Sequence, residues 1–468
     1  MTDFAALLRP DRGEPARTIH LIDQTNAPGW LARQSAQRRV LLDAARFDGN
    51  RPYQFAILPA GEGDFEVVAA MASLERLTPW CLARLSEALP AGTYRLAKGA
   101  PAAATLGWLL AQHRFDRFRT KFEPDAGPRI LLSLDAASIG RVVSEARATA
   151  LVRDLVDTPA SDLGPAELEA AVRRLASDSA ARVEVTRGEP LETGFPMIAA
   201  VGRGATRERA PRLIELIWGH DDHPRIAVIG KGVCFDTGGL DIKPASGMRL
   251  MKKDMGGAAH ALALAQMIID QRLPVRLHLL IPAVENSISA AAFRPGDVIA
   301  SRRGLKVEID NTDAEGRLVL GDALTRAGED APTLIIDFAT LTGAARVALG
   351  PDLPALFAND DGLAADLAAA AALVDDPMWR MPLWDDYDDM LKSSLADLAN
   401  SADSPMAGAV TAALFLRRFV PDGVPWAHLD TFAWRASARP GRPKGGDALG
   451  LRAVFAALEA RFAPRPLV

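Results

Sequence analysis

Two cysteines in 468 residues, Cys81 and Cys234, leave no material for a disulfide framework, and that scarcity fits a reducing compartment. No apolar run approaches the roughly 20 residues that a membrane-crossing helix needs, so no membrane partner is expected. The opening M-T-D-F-A-A-L-L-R-P lacks a basic region followed by an apolar stretch and a cleavage site. Export is therefore not expected, and a cytoplasmic location is. Positive charge is not in excess either: 54 basic against 59 acidic residues give a formal net charge of −5, which argues against nonspecific nucleic-acid binding. The seven histidines contain no H-E-x-x-H pair, which removes a thermolysin-like zinc site, and no G-x-S-x-G elbow marks a serine hydrolase. G-K-G at 230–232 fails the phosphate-loop pattern, because glycine rather than serine or threonine follows the lysine. Repeats, coiled-coil heptads and low-complexity segments are missing too.

What is present is acid in glycine-rich loops. D-N-T-D-A-E-G-R-L-V-L at 310–320 sets Asp313, Glu315 and Arg317 at every second position. Read as an extended segment ending at Gly316, it turns all three to one side. Two converging carboxylates are costly unless something neutralises them, and a metal ion is the usual answer. Upstream, the stretch from Ile229 to Ala259 carries Lys231, Asp236, Lys243 and Asp254. The run Arg225–Ile229 reads as a strand that delivers the chain to a loop, where Gly230, Gly232, Gly238 and Gly239 permit tight bends. Taken singly, each residue has an ordinary reading. The acids serve as turn formers, Asp254 as the N-cap of the next helix, and Lys243 as a surface lysine before Pro244. Jointly, three aspartates and a glutamate in two such loops make a metal-and-substrate constellation. Among the remaining candidates, His260 and His428 read as packed, His220 and His223 as facing water, and Cys234 as packing rather than a thiolate ligand.

With these residues in place, the chain resembles the leucyl aminopeptidase (cytosol aminopeptidase) family of dinuclear metallopeptidases. N-T-D-A-E-G-R-L matches the family's signature, as do G-K-G-x-x-F-D-x-G-G-x-x-x-K-P and M-K-x-D-M-G-G-A-A, over roughly residues 145–468. The resemblance implies two divalent ions, manganese or zinc, one on Asp236, Asp313 and Glu315 and the other on Lys231, Asp236, Asp254 and Glu315. Lys231 would ligate as the neutral amine, with a pKa well below the usual value of about 10.4. A bridging water would attack, Lys243 would stabilise the oxyanion, and Arg317 would hold a bicarbonate proton shuttle. Met251, Thr340 and Gly343 would line the pocket for the first side chain. Phe432 stands where the family has a small residue, which bears on a strict leucine preference. Peptides with a free N-terminus would be the substrates, and a homohexamer the assembly. Two other classes stay open here: another dinuclear hydrolase such as a phosphatase, and a DNA-binding role.

The expected fold is α/β. Residues 1–138 read as a small N-terminal α/β domain, with strands at F-E-V-V-A-A and R-I-L-L-S-L. Residues 139–468 read as the larger catalytic domain, reached through a helical linker at about 136–157. Its near-continuous apolar runs predict a mostly parallel central sheet flanked by helices. The stretch R-F-D-R-F-R-T-K-F from Arg114 reads as packed phenylalanines with solvated arginines.

Overall fold

The computed structural model describes residues 2–61, 63–120 and 127–463. They divide into two compact units, Met1–Ala150 with Ser437–Lys444, and Leu151–Ala436 with Gly445–Val468. In the first, six strands are β1 (Leu8–Pro10), β2 (Arg17–Ile22), β3 (Phe55–Pro59), β4 (Phe65–Ala70), β5 (Gly92–Leu96) and β6 (Arg129–Ser133). Their order is β1-β6-β5-β2-β4-β3, parallel except for the β3–β4 hairpin. Tyr94 meets the buried Trp108 edge-on at 5.6 Å in its core, a favourable aromatic geometry. The helix Ile139–Asp157 starts in this unit, whose core takes in Val142, Val143, Ala146 and Ala150. The returning segment Ser437–Lys444 is fastened within the same unit: Gly441 N–H donates to Glu87 at 2.8 Å, and the Arg442 guanidinium lies 4.6 Å over the Trp80 ring. Of the R-F-D-R-F-R-T-K-F stretch, Phe115 is half-buried but Phe118 is 47 % exposed, so the packed reading fails there. Lys121 and Phe122 lie outside the described residues.

The second unit is built on nine strands, β7 (Arg182–Arg187), β8 (Arg212–Trp218), β9 (Arg225–Gly230), β10 (Gly232–Asp236), β11 (Arg276–Asn286), and, further on, Leu334–Ala339, Ala355–Ala358, Trp379–Arg380 and Trp426–Asp430. Its centre is parallel. Trp426–Asp430, Leu334–Ala339, β9 and β11 lie side by side in that order, with antiparallel strands added outside. β9 explains its own composition: with neighbours on both edges and both faces covered, five of its six residues, Ile226 to Gly230, are buried. Alternation sends Ala227 and Ile229 into one core together with the helices Glu315–Gly328 and Gly408–Arg417. The helix Gly256–Asp270 packs on β9 and on Leu334–Ala339. The expected mixed fold, a mostly parallel sheet with helices against it, is thus present. Because the four central strands run the same way, their carboxyl ends share one edge. From that edge emerge Lys231, Asn286, Thr340 and Thr431.

Candidate metal centre

Six charged side chains, Lys231, Asp236, Lys243, Asp254, Asp313 and Glu315, meet just beyond that edge. Asp236 ends β10, Asp254 sits in the short 3-10 helix Met251–Met255, and Glu315 opens the helix Glu315–Gly328. Ligand atoms of Asp236, Asp313 and Glu315 all lie within 4.8 Å of one another. Lys231 threads between two of the acids, its Nζ 2.7 Å from Asp254 Oδ2 and 2.9 Å from Glu315 Oε1. The ammonium is thus the direct ion-pair partner of one oxygen on each of these two buried acids. Lys243 Nζ is 2.8 Å from Asp236 Oδ2 and also pairs with Asp313. The fit is sterically tight at Gly316, where a Cβ would stand 2.6 Å from Lys231 Cε and 2.7 Å from its Nζ. Gly238 and Gly239 adopt φ of +87° and +67°, which side-chain-bearing residues rarely adopt. This turn lets Asp236 Oδ1 accept from the Gly238 N–H at 2.8 Å.

Charge makes the cluster expensive. Burial, with Asp236 beside it, pushes Glu315 up to about 8, and burial together with Asp236 raises Asp313 to about 6. Burial acts on Asp254 in the same sense, but Lys231 and Lys253 outweigh it and hold that carboxyl below its ordinary value. Burial would lower Lys231, yet Asp254, Glu315 and Asp236 override it and the ammonium is raised. The lowered pKa expected of Lys231 belongs to the ion-loaded site, where adjacent cations would supply the field that favours the neutral amine. In a cage of carboxylates alone the lysine is the local counter-ion, and a dication taking its place must release its proton. Lys243 is raised in the same way, by Asp236, Glu315 and Asp313 against burial. The donor set therefore suits hard divalent cations: four carboxylates drawn together, two of them raised by burial and by one another, and one amine.

The alternation predicted for Asp313, Glu315 and Arg317 does not survive. The helix begins at Glu315, so Arg317 is helical and does not continue a two-residue alternation. Its Nη1 donates to Asn400 O at 2.7 Å, and its buried Nε has no hydrogen-bond partner among the described residues. Burial lowers Arg317 to about 10. Asp254 is not an N-cap either, since Met255 holds that position. Met251, Thr340, Gly343 and Phe432 do line the cleft with the acids and lysines. Thr340 Oγ1 donates to Asp254 Oδ1 at 2.8 Å. His260 and His428 are buried, and Cys234 is buried with its thiol pushed up by burial. His220 is exposed, whereas His223 is half-buried.

Other contributors escaped the motif reading. Asn286, at the end of β11, donates to Asp236 Oδ1 at 2.9 Å and to Thr312 O at 3.1 Å, tying the two acid loops together. Asn400 accepts from the Asp310 and Asn311 N–H groups at 2.8 and 3.1 Å. Asp430 accepts from Leu341 N–H at 2.9 Å and Thr342 Oγ1, shaping the loop after Thr340. Lys253 and Arg346 also face the cleft. Burial lowers Lys253 to about 8. The only sequence signal for any of these was W-A-H-L-D, which holds Asp430.

Residues 150–455 match the model of the cytosol aminopeptidase family's catalytic domain, and 18–130 that of the M17 aminopeptidase N-terminal domain. A probable cytosol aminopeptidase of Syntrophotalea carbinolica is 44 % identical over 370 residues, 75 % of this chain and 73 % of the relative. One from Roseiflexus castenholzii is 41 % identical over 407 residues, covering 84 % and 82 %. The crystal structure of a cytosol aminopeptidase from Coxiella burnetii superposes with a TM-score of 0.92 at 46 % identity, over 97 % of this chain and 99 % of that one. The bottromycin maturation enzyme BotP, in complex with Mn, gives 0.84 at 32 %, over 96 % and 100 %.

Proposed function

The chain belongs to the cytosol aminopeptidase family and is a metal-dependent aminopeptidase, and from that premise we propose that it removes apolar residues, leucine among them, from peptides with a free N-terminus. The observation that carries this is the convergence of Asp236, Asp313 and Glu315 within 4.8 Å, beside Lys231, which ion-pairs with Glu315 and the neighbouring Asp254. Asp236, Asp313 and Glu315 would hold one divalent ion, and Lys231, Asp236, Asp254 and Glu315 the other. When bound, such ions polarise a carbonyl and make water nucleophilic at neutral pH. Manganese is the ion to test first, zinc the second.

Lys243 is assigned to the substrate carbonyl. Its side chain is 15 % exposed against 3 % for Lys231, so of the two it is the one that can reach an incoming oxygen and donate to it as negative charge develops. Met251, Thr340, Gly343 and Phe432 receive the first side chain. The edge of the Arg317 guanidinium that carries Nε has no hydrogen-bond partner for that nitrogen among the described residues. That edge suits a small planar anion such as bicarbonate, which would move the proton. A homohexameric assembly, drawn from the family resemblance, and a cytoplasmic location, which the scarcity of cysteine fits, complete the reading. A phosphatase is disfavoured, because no histidine joins the acidic cluster among the described residues.

The test is direct. Protein incubated with manganese should take up two ions per subunit and cleave leucyl-p-nitroanilide but not its N-acetyl derivative. Uptake of fewer than two ions together with intact dipeptides would overturn the assignment.

A further inference from the structure

Phe432 lies between two cations. Lys253 Nζ stands 5.1 Å from its ring centroid and the Arg346 guanidinium 4.6 Å from it. All three line the cleft together with Met251 and Thr340. Lys253 is 4 % exposed, yet its one ion-pair contact among the described residues, Asp254 Oδ1, is 3.8 Å away, beyond hydrogen-bond reach. Arg346 is exposed and forms no ion pair among the described residues; its head packs toward Gly343, where an added Cβ would stand 3.3 Å from Nη2.

A ring face offsets only part of the cost of holding an ammonium on a side chain as little exposed as Lys253. Two like charges on one aromatic ring also repel, and an anion arriving beside them relieves both penalties. We infer that Lys253 and Arg346 make the first-side-chain pocket a receptor for acidic residues, so that N-terminal glutamate or aspartate is a preferred substrate. This rests on the aminopeptidase reading and extends its substrate class from apolar to acidic first residues. The carboxylate must belong to the first side chain rather than to the far end of a dipeptide, because both cations flank Phe432, a wall of that pocket. Phe432 and Met251 would still pack the methylenes of glutamate.

The test uses the full, manganese-loaded chain with glutamyl-, aspartyl- and leucyl-p-nitroanilides, in the wild type and in Arg346→Leu and Lys253→Met. The readout is the ratio of kcat/KM for glutamate over leucine. A ratio discounts any general damage to folding or ion uptake, and if Lys253→Met does not fold, Arg346→Leu decides. The inference expects glutamyl or aspartyl substrate to be cleaved at least as efficiently as leucyl. The ratio should fall about tenfold in a variant, the loss of one charge-assisted contact, chiefly through KM. Cleavage of the leucyl substrate with acidic ones rejected, or a ratio unmoved by both variants, overturns it. Failure to cleave any anilide would instead sink the aminopeptidase reading on which it stands.

Discussion

Lys243 pairs with Asp236 and Asp313 and sits at the open side of the cluster. Replacing it by alanine removes an ammonium but no proposed ion-holding group. Lys243→Ala should therefore lower kcat by about 10²–10³-fold, the usual loss for one oxyanion donor, while metal analysis still finds two ions. Unchanged turnover would free Lys243 of that role. His260 shows a residue whose work is structural. Its Nδ1 donates to Gly256 O at 2.7 Å, its Nε2 accepts the Leu449 N–H at 3.0 Å, and the ring stacks on Phe338. Burial lowers its pKa, so near pH 6.5 the unfolded chain takes up a proton that the folded chain refuses. Its stabilisation is complete above about pH 6.5 and is lost as pH falls through the lowered folded value. The gap in urea-unfolding free energy between wild type and His260→Gln should narrow between about pH 7.5 and about pH 5.5. His428, raised by Asp337 against burial, has the opposite sign, but it is common to both proteins and cancels.

Among the elements, the helix Leu451–Phe462 begins without a cap of its own, after Gly450 at φ +81°. Its first N–H groups are satisfied from far away in sequence: Asp376 accepts from Gly450, Arg452 and Ala453 at 3.0, 2.9 and 3.2 Å. Asp376→Ala should cost about 1–3 kcal/mol, read as a lower urea midpoint with an unchanged slope. No local signal announces such a cap, and the same difficulty governs how much of this protein was legible. The strands of the parallel centre could be read because burial on both faces leaves continuous apolar runs, as in β9. Asp236, Asp254, Asp313, Glu315, Lys231 and Lys243 were legible because their spacing within two short segments is distinctive. Arg317 was misplaced because a two-residue period was applied where a helix had already begun. Asn286, Asn400 and Arg346 could not be found at all, since only the meeting of distant strand ends and loops brings them to the cleft.

For the molecule as a whole, the centre draws together β9, β10, a 3-10 turn and the start of a helix, so cations held there bind the folded chain and not the unfolded one. Ligand at 100 times its dissociation constant adds about 2.7 kcal/mol to stability. Stripping the ions with a chelator should accordingly lower the unfolding temperature of the wild type by several degrees, on the order of 2–4 °C per kcal/mol for a chain of 150–250 residues and less for this larger one. Asp313→Asn should respond much less. A midpoint indifferent to chelator would argue against ions that bridge these elements.

The return of Ser437–Lys444 to the smaller unit has an engineering consequence. That unit is not a cassette with one splice point. A fragment beginning at residue 151 would keep an eight-residue excursion stripped of Glu87 and Trp80, its anchors. Grafting a different front end onto the larger unit would take three junctions, one after Ala150 and two around Ser437–Lys444, hundreds of residues apart in sequence.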